Sequence, residues 1–159
     1  MKRIRISVSI IPVLVFGMVL TAVSQVQQPA ITISSSKQTE KQGSPIQIHV
    51  VLSNKTQESF SLFKSVGGAH AELYYTVKVL APDGKEATLT PYGRSVEQRQ
   101  IMPISRIRKT VNPGESMGED FDVSRIFEMS TPGKYQIQVG RPNPLKPSSD
   151  LKSNVLESV

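Results

Sequence analysis

The 159-residue chain has no cysteine, no tryptophan and only two histidines, and its aromatic content is confined to four Tyr and five Phe. Without cysteine it can build no disulfide scaffold, thiol nucleophile, zinc knuckle or iron–sulfur cluster. A lipid anchor on a cysteine is excluded as well. His49 and His70 stand in neither H-E-x-x-H nor H-x-H spacing, so no two imidazoles are set to share a metal, and both read as ordinary surface histidines. There is no G-x-S-x-G nucleophile elbow, since Gly43-Ser44 lacks the glycine that should follow. A carbohydrate-cleaving cleft needs an aromatic lining that this composition supplies poorly. The sequence therefore points to no catalytic residue, no metal and no cofactor.

The start of the chain is organised as an export signal. Lys2, Arg3 and Arg5 form a basic head, an uncharged stretch runs from Ile6 to Ser24, and Ala22-Val23-Ser24 offers small residues for a signal peptidase. Cleavage is expected before Gln25. An uncleaved anchor is the rival reading, because 19 uncharged residues could just cross a bilayer core. Pro12, Gly17 and the polar Ser7, Ser9, Thr21 and Ser24 shorten the apolar centre and favour cleavage. The expected destination is the periplasm or the medium, with no stable membrane span once residues 1–24 are gone. Losing three of the 19 basic residues and none of the 13 acidic ones leaves a charge of +3, which removes most of the motive for nucleic-acid binding. Export combined with the absence of cysteine suggests a bacterial source.

Residues 25–29 read as a flexible leader and residues 30–159 as one domain. Within it the dominant signal is period-two alternation. Ile31 and Ile33 alternate with Thr32 and Ser34. Ile46, Ile48, Val50 and Leu52 share one face of the cleanest strand. Ser59–Lys64 alternates until Phe63, and Leu73, Tyr75, Val77 and Val79 are expected inward with Tyr74, Thr76 and Lys78 outward. Pro82-Asp83-Gly84 is a turn that should pair this strand with Glu86–Thr90. Residues 91–105 lose the pattern and read as a long loop with one helical turn near Ser95–Gln100. Arg106–Val111 and Met117–Val123 flank the Pro113-Gly114 turn, and Ser124–Met129 reads as a short helical crossover. Tyr135, Ile137 and Val139 face inward. Pro142–Ser149 is a loop, and Ser153–Val159 is a last strand with Val155 and Leu156 toward the core. About seven short strands, no long helix and no repeat specify an all-β, antiparallel sandwich, with a small barrel as the alternative. Pro132-Gly133-Lys134-Tyr135 favours the sandwich, because a tight turn that delivers a buried Tyr is how a tyrosine corner is built.

The motifs Asn112-Pro113-Gly114-Glu115, Asp122-Val123-Ser124-Arg125-Ile126-Phe127 and Pro132-Gly133-Lys134-Tyr135 resemble the second half of exported bacterial immunoglobulin-like domains. In those domains a PGE turn, a short crossover and a PGkY strand start follow in this order. Lys152-Ser153-Asn154-Val155 is similar to the start of their last strand. The resemblance implies an immunoglobulin-like sandwich and leaves the function open, since such domains serve adhesion, carbohydrate, protease and scaffolding roles.

Three charged or polar clusters remain. Arg94, Arg99, Arg106, Arg108 and Lys109 outnumber the single acid Glu97 and form a candidate surface for an anionic partner, such as an acidic polysaccharide or a lipid headgroup. Against that, Arg106–Lys109 should pair across Pro113-Gly114 with the acidic Glu115–Asp122 strand and be neutralised. Glu119, Asp120 and Asp122 lack calcium-loop spacing and read as a solvated strand edge. Asn54-Lys55-Thr56 matches a glycosylation acceptor and reads as a turn. The leading expectation is a non-catalytic binding or spacer module whose partner is a protein or an envelope polysaccharide. The alternative is an accessory or inhibitory domain acting on an exported protease. The mature chain should begin at Gln25, and intact-mass measurement of exported protein retaining Met1–Arg5 would contradict the assignment.

Overall fold

The computed structural model of the chain describes residues 27–37, 41, 43–67, 69–101 and 106–158. The signal and cleavage site expected within residues 1–25 lie outside the described residues, as does the segment 102–105 of the long loop. Nine strands occur among the described residues: β1 (Ala30–Ser34), β2 (Gln47–Ser53), β3 (Phe60–Ser65), β4 (Thr76–Leu80), β5 (Arg106–Val111), β6 (Ser116–Asp122), β7 (Tyr135–Pro142), β8 (Asp150–Lys152) and β9 (Leu156–Ser158). Every pairing is antiparallel. One sheet has the order β1-β2-β6, a second runs β4-β7-β8 with β9 also on β7, and β3 and β5 form a separate ribbon. The fold is an all-β antiparallel sandwich.

Its interior follows from alternation. Ile31, Ile33, Ile48, Val50, Leu52, Met117 and Phe121 are buried from the first sheet, and Val79, Tyr135, Ile137, Val139 and Leu151 from the second. Phe60, Leu62 and Val111 add the buried face of the ribbon. Each fully buried aliphatic side chain contributes about 1.5–3 kcal/mol relative to exposure. Tyr75 and Phe121 stack across the layers with ring centroids 5.8 Å apart.

Several expectations are corrected. Alternation over Ala71–Leu80 holds only from Tyr75, because Ala71–Tyr74 form a 3-10 helix entered through His70 in the left-handed region (φ 59°). Tyr74 is therefore half-buried against the core, and burial raises the pKa of its hydroxyl. Glu86–Thr90 is not a full hairpin strand: only the bridge Leu80↔Glu86 forms, with Ala87 N–H donating to the Val79 carbonyl at 2.9 Å. The helical turn lies earlier than Ser95–Gln100, as helix α1 (Pro91–Glu97), because Thr90 caps it by accepting from Gly93 N–H and Pro91 suits its first turn. Val155 is exposed; the last strand breaks at residues 153–155, and Leu151 and Leu156 supply the apolar contacts.

The largest correction concerns strand order. β5 does not pair with β6; β5 pairs with β3, and β6 with β2. The Asn112–Glu115 turn hands the chain from the ribbon to the first sheet, and Asn54 holds it there. Asn54 N–H donates to the Glu115 carbonyl and Gly114 N–H to the Asn54 carbonyl, both at 2.9 Å. The Asn54 amide donates to the Glu58 and Val111 carbonyls and accepts from Thr56. This side chain is 1% exposed. Its amide is saturated by the turn it organises, which is the structural content of the Asn54-Lys55-Thr56 motif.

The two sheets are also joined at a margin. Asn154, in the break between β8 and β9, accepts from Ile33 N–H (2.9 Å) and donates to the Ile33 carbonyl (3.0 Å), imitating a strand partner for β1. Tyr135 is 4% exposed, and its hydroxyl donates to the Thr131 carbonyl (2.9 Å) and accepts from Thr131 N–H. Tyr135→Ala is expected to cost about 3–5 kcal/mol in urea melts. Tyr135→Phe should lose only about 1–2 kcal/mol. The exposed neighbour Gln136→Ala should stay within about 0.5 kcal/mol. Equal losses for Tyr135→Ala and Gln136→Ala would contradict the packing described.

Candidate partner groove and polar clamp

The first polar site is internal. Glu119 on β6 is 4% exposed, contrary to the solvated edge expected for it. Its position in the register puts it on the same face as Met117 and Phe121, so its carboxylate enters the sandwich. There it accepts from the Tyr75 hydroxyl (2.9 Å) and from Ser65 N–H and Oγ (both 3.3 Å). Arg141 continues the inward face of β7; it is 7% exposed, donates to the Phe63 carbonyl (2.7 Å) and lies 5.3 Å from the Tyr75 ring centroid. Burial first, then the Glu119 charge, raises the Tyr75 hydroxyl well above the ordinary tyrosine range. The other two acids of the cluster separate from Glu119. Asp120 pairs across the strands with His49 at 2.7 Å, and Asp122 caps the 3-10 helix Val123–Arg125 by accepting from Ser124 N–H. No group of three or more His, Asp or Glu side chains among the described residues gathers into a metal site.

A second set of contacts fixes α1. Thr90 N–H donates to the Ile126 carbonyl, and Leu89 bridges Phe127. A Cβ on Gly93 would overlap the Ile126 carbonyl, so only glycine lets the helix backbone approach this closely. Arg125 lies over the Tyr92 ring at 4.6 Å. The Tyr92 hydroxyl donates to the buried Glu72 carboxylate, and His70 Nδ1 lies 3.0 Å from the same hydroxyl. Burial, followed by Glu72, pushes the Tyr92 hydroxyl up to about 12. His70, Glu72 and Tyr92 thus tie the first 3-10 helix to α1.

Between α1 and β4 an open groove of about 830 Å³ remains. Leu73, Val77, Ala87 and Leu89 form its apolar part, and the exposed Arg94 and Arg99 stand on its charged margin. β4 is an edge strand. Successive residues of an antiparallel strand aim their backbone groups at opposite sides. The Val79 carbonyl is turned away from β7 toward Ala87, so the N–H and C=O of Val77, two residues earlier, point out over the groove. They meet no hydrogen-bond partner among the described residues.

The five basic residues singled out from sequence do not form one surface. Arg94 donates to the Leu89 carbonyl (2.7 Å) and, with Arg99, borders the groove. Arg106 and Arg108 converge on the Phe63 ring at 4.6 and 5.8 Å. Lys109 is paired with Glu115 at 2.6 Å, the one element of the expected neutralisation that forms. Glu115 in turn is held below the usual carboxylate range by Asn112 N–H and by Lys109. Sequence reasoning missed Arg141, Glu72 and Glu119 as interior charges. For Arg141 the signal was present, because it extends the inward series Tyr135, Ile137, Val139.

A scan against protein-family models gives no match to the chain, and a search of curated proteins gives none either. No helix among the described residues is long and apolar enough to cross a membrane.

The clamp generates a pH prediction. The folded chain holds the Tyr75 proton more tightly than the unfolded chain, so this contribution is complete below the ordinary value of 10.0 and is lost as pH rises through the higher folded value. Tyr75→Phe should cost about 1.5–3 kcal/mol at neutral pH, since Glu119 loses a donor. It should also flatten the alkaline fall in stability. Urea melts across the alkaline range check both, and parallel pH profiles for the two proteins would count against the clamp.

Proposed function

We propose that the chain is an exported, non-catalytic immunoglobulin-like module of the bacterial envelope that receives an extended segment of a protein partner along the edge of β4. The unpaired backbone of Val77 beside the groove carries this reading. A strand laid there gains main-chain hydrogen bonds, and its alternate side chains meet Leu73, Leu89 and their neighbours, the physics of strand addition. The same edge already accepts a backbone donor at Val79, so its geometry suits another strand. The motif resemblance at residues 111–135 and the basic, then uncharged, first 24 residues support the immunoglobulin-like and exported parts of the proposal.

Peptides selected on the purified chain from a random library should carry apolar residues at alternate positions. On binding they should shift the amide resonances of Thr76–Leu80 and Leu89 and slow hydrogen exchange at the Val77 amide. Val77→Pro removes that outward N–H without breaking the ladder to β7, and should abolish binding while the chain still folds. Binding that leaves Val77 exchange unchanged, or that shifts resonances elsewhere, would refute strand addition at β4.

A further inference from the structure

The β3–β5 ribbon contains no acidic residue on either strand, while it carries Lys64, Arg106, Arg108 and Lys109. Among the described residues only Lys109 of these is ion-paired, to Glu115. Among the described residues no carboxylate lies within ion-pair distance of Arg106 or Arg108. The nearby Glu119 is buried and turned inward to Ser65 and Tyr75. The two guanidinium groups instead converge on the single ring of Phe63, so like charges are held together with no counter-charge between them. Phe63, on the face it shares with Arg106 and Arg108, is 41% exposed, and Val66, just beyond β3, is 46% exposed. Phe63 is fixed from behind, since its carbonyl accepts from the buried Arg141.

We infer that this end of the β3–β5 ribbon docks on a bilayer containing anionic phospholipid, with Arg106 and Arg108 taking the phosphates and Phe63, with Val66 just beyond β3, entering the headgroup boundary. Guanidinium groups match phosphate oxygens bidentately. Unpaired cations beside exposed apolar side chains are the combination that an anionic interface rewards twice, by charge and by apolar burial. An acidic polysaccharide would use the arginines and leave Phe63 and Val66 in water. The inference rests on the ribbon alone and stands whether or not β4 receives a peptide.

Sedimentation with vesicles of mixed phosphatidylglycerol and phosphatidylcholine tests it, with pure phosphatidylcholine as the neutral control. The mature chain from Gln25, free of the basic and apolar first 24 residues, should bind the mixed vesicles only, and added salt should weaken the binding. Arg106→Gln and Arg108→Gln should each lower partitioning about fivefold, the equivalent of about 1 kcal/mol per charge at an anionic surface. The double Arg→Lys variant, which keeps both charges and loses the bidentate fork, should bind more weakly than the parent and more tightly than the double Arg→Gln variant. Phe63→Ser should weaken vesicle binding while leaving binding to soluble dextran sulfate unchanged. Failure to bind mixed vesicles would overturn the inference. So would vesicle binding indifferent to Phe63→Ser, which would make the ribbon a general polyanion surface.

Discussion

The hydrogen bond from the Tyr75 hydroxyl to Glu119 is the contact on which the assembly of the three sheet units depends. Glu119 belongs to the β1-β2-β6 sheet, Tyr75 leads into β4 of the second, and Ser65 and the Phe63 carbonyl belong to the ribbon. Arg141, from the second sheet, reaches the ribbon on the other side of Tyr75. Hydrophobic burial is non-directional and would tolerate some sliding of one layer over another. A buried carboxylate is not tolerant: displaced from its donors it faces a desolvation penalty of several kcal/mol. The clamp therefore converts an apolar core into a single relative placement of sheets and ribbon. The groove beside β4 and the exposed end of the ribbon both inherit that placement.

Only part of this is legible in the amino-acid order. Alternation located the buried face of β2 residue by residue and that of β7 from Tyr135 to Val139, because which way a side chain points is a property of one strand. Which strands become neighbours is a property of two, and there the sequence misleads. Arg106–Lys109 and Glu115–Asp122 have opposite charge and sit across a Pro-Gly turn, yet they join different sheets. Charge complementarity between exposed strands is worth tenths of a kcal/mol to about one per pair. The saturated Asn54 and the burial of Val111, Met117 and Phe121 outweigh it. Glu119 was hidden for a related reason. A carboxylate between Gly118 and Asp120 in a polar run reads as exposed until Ser65 and Tyr75 are brought to it from far along the chain.

The glycine and capping details act at shorter range. Thr90, Pro91 and Gly93 specify both where α1 starts and how closely it lies on the Ile126 carbonyl. The helix covers one side of the groove without closing over it. β4 thus keeps a free edge at Val77, while Glu86 and Ala87 cover it one step further on. Edges left open in this way invite pairing between copies of a protein, and here the exposed Lys78 and Thr76 alternate with Val77 and discourage it.

The substitution of an asparagine amide for a peptide group at the margin of β1 has a kinetic consequence. Ile33 finds its partner in Asn154, 121 residues further along the chain. β7 likewise gains its second neighbours only when residues 150–158 arrive. The first strand therefore has one neighbour, β2, near it in sequence and the other far along the chain. Folding dominated by such distant pairings belongs to the millisecond-to-second regime of β-sandwiches. Until residue 154 has been synthesised and is free to move, the outer side of β1 lacks its partner at Ile33 and the sandwich has an open seam.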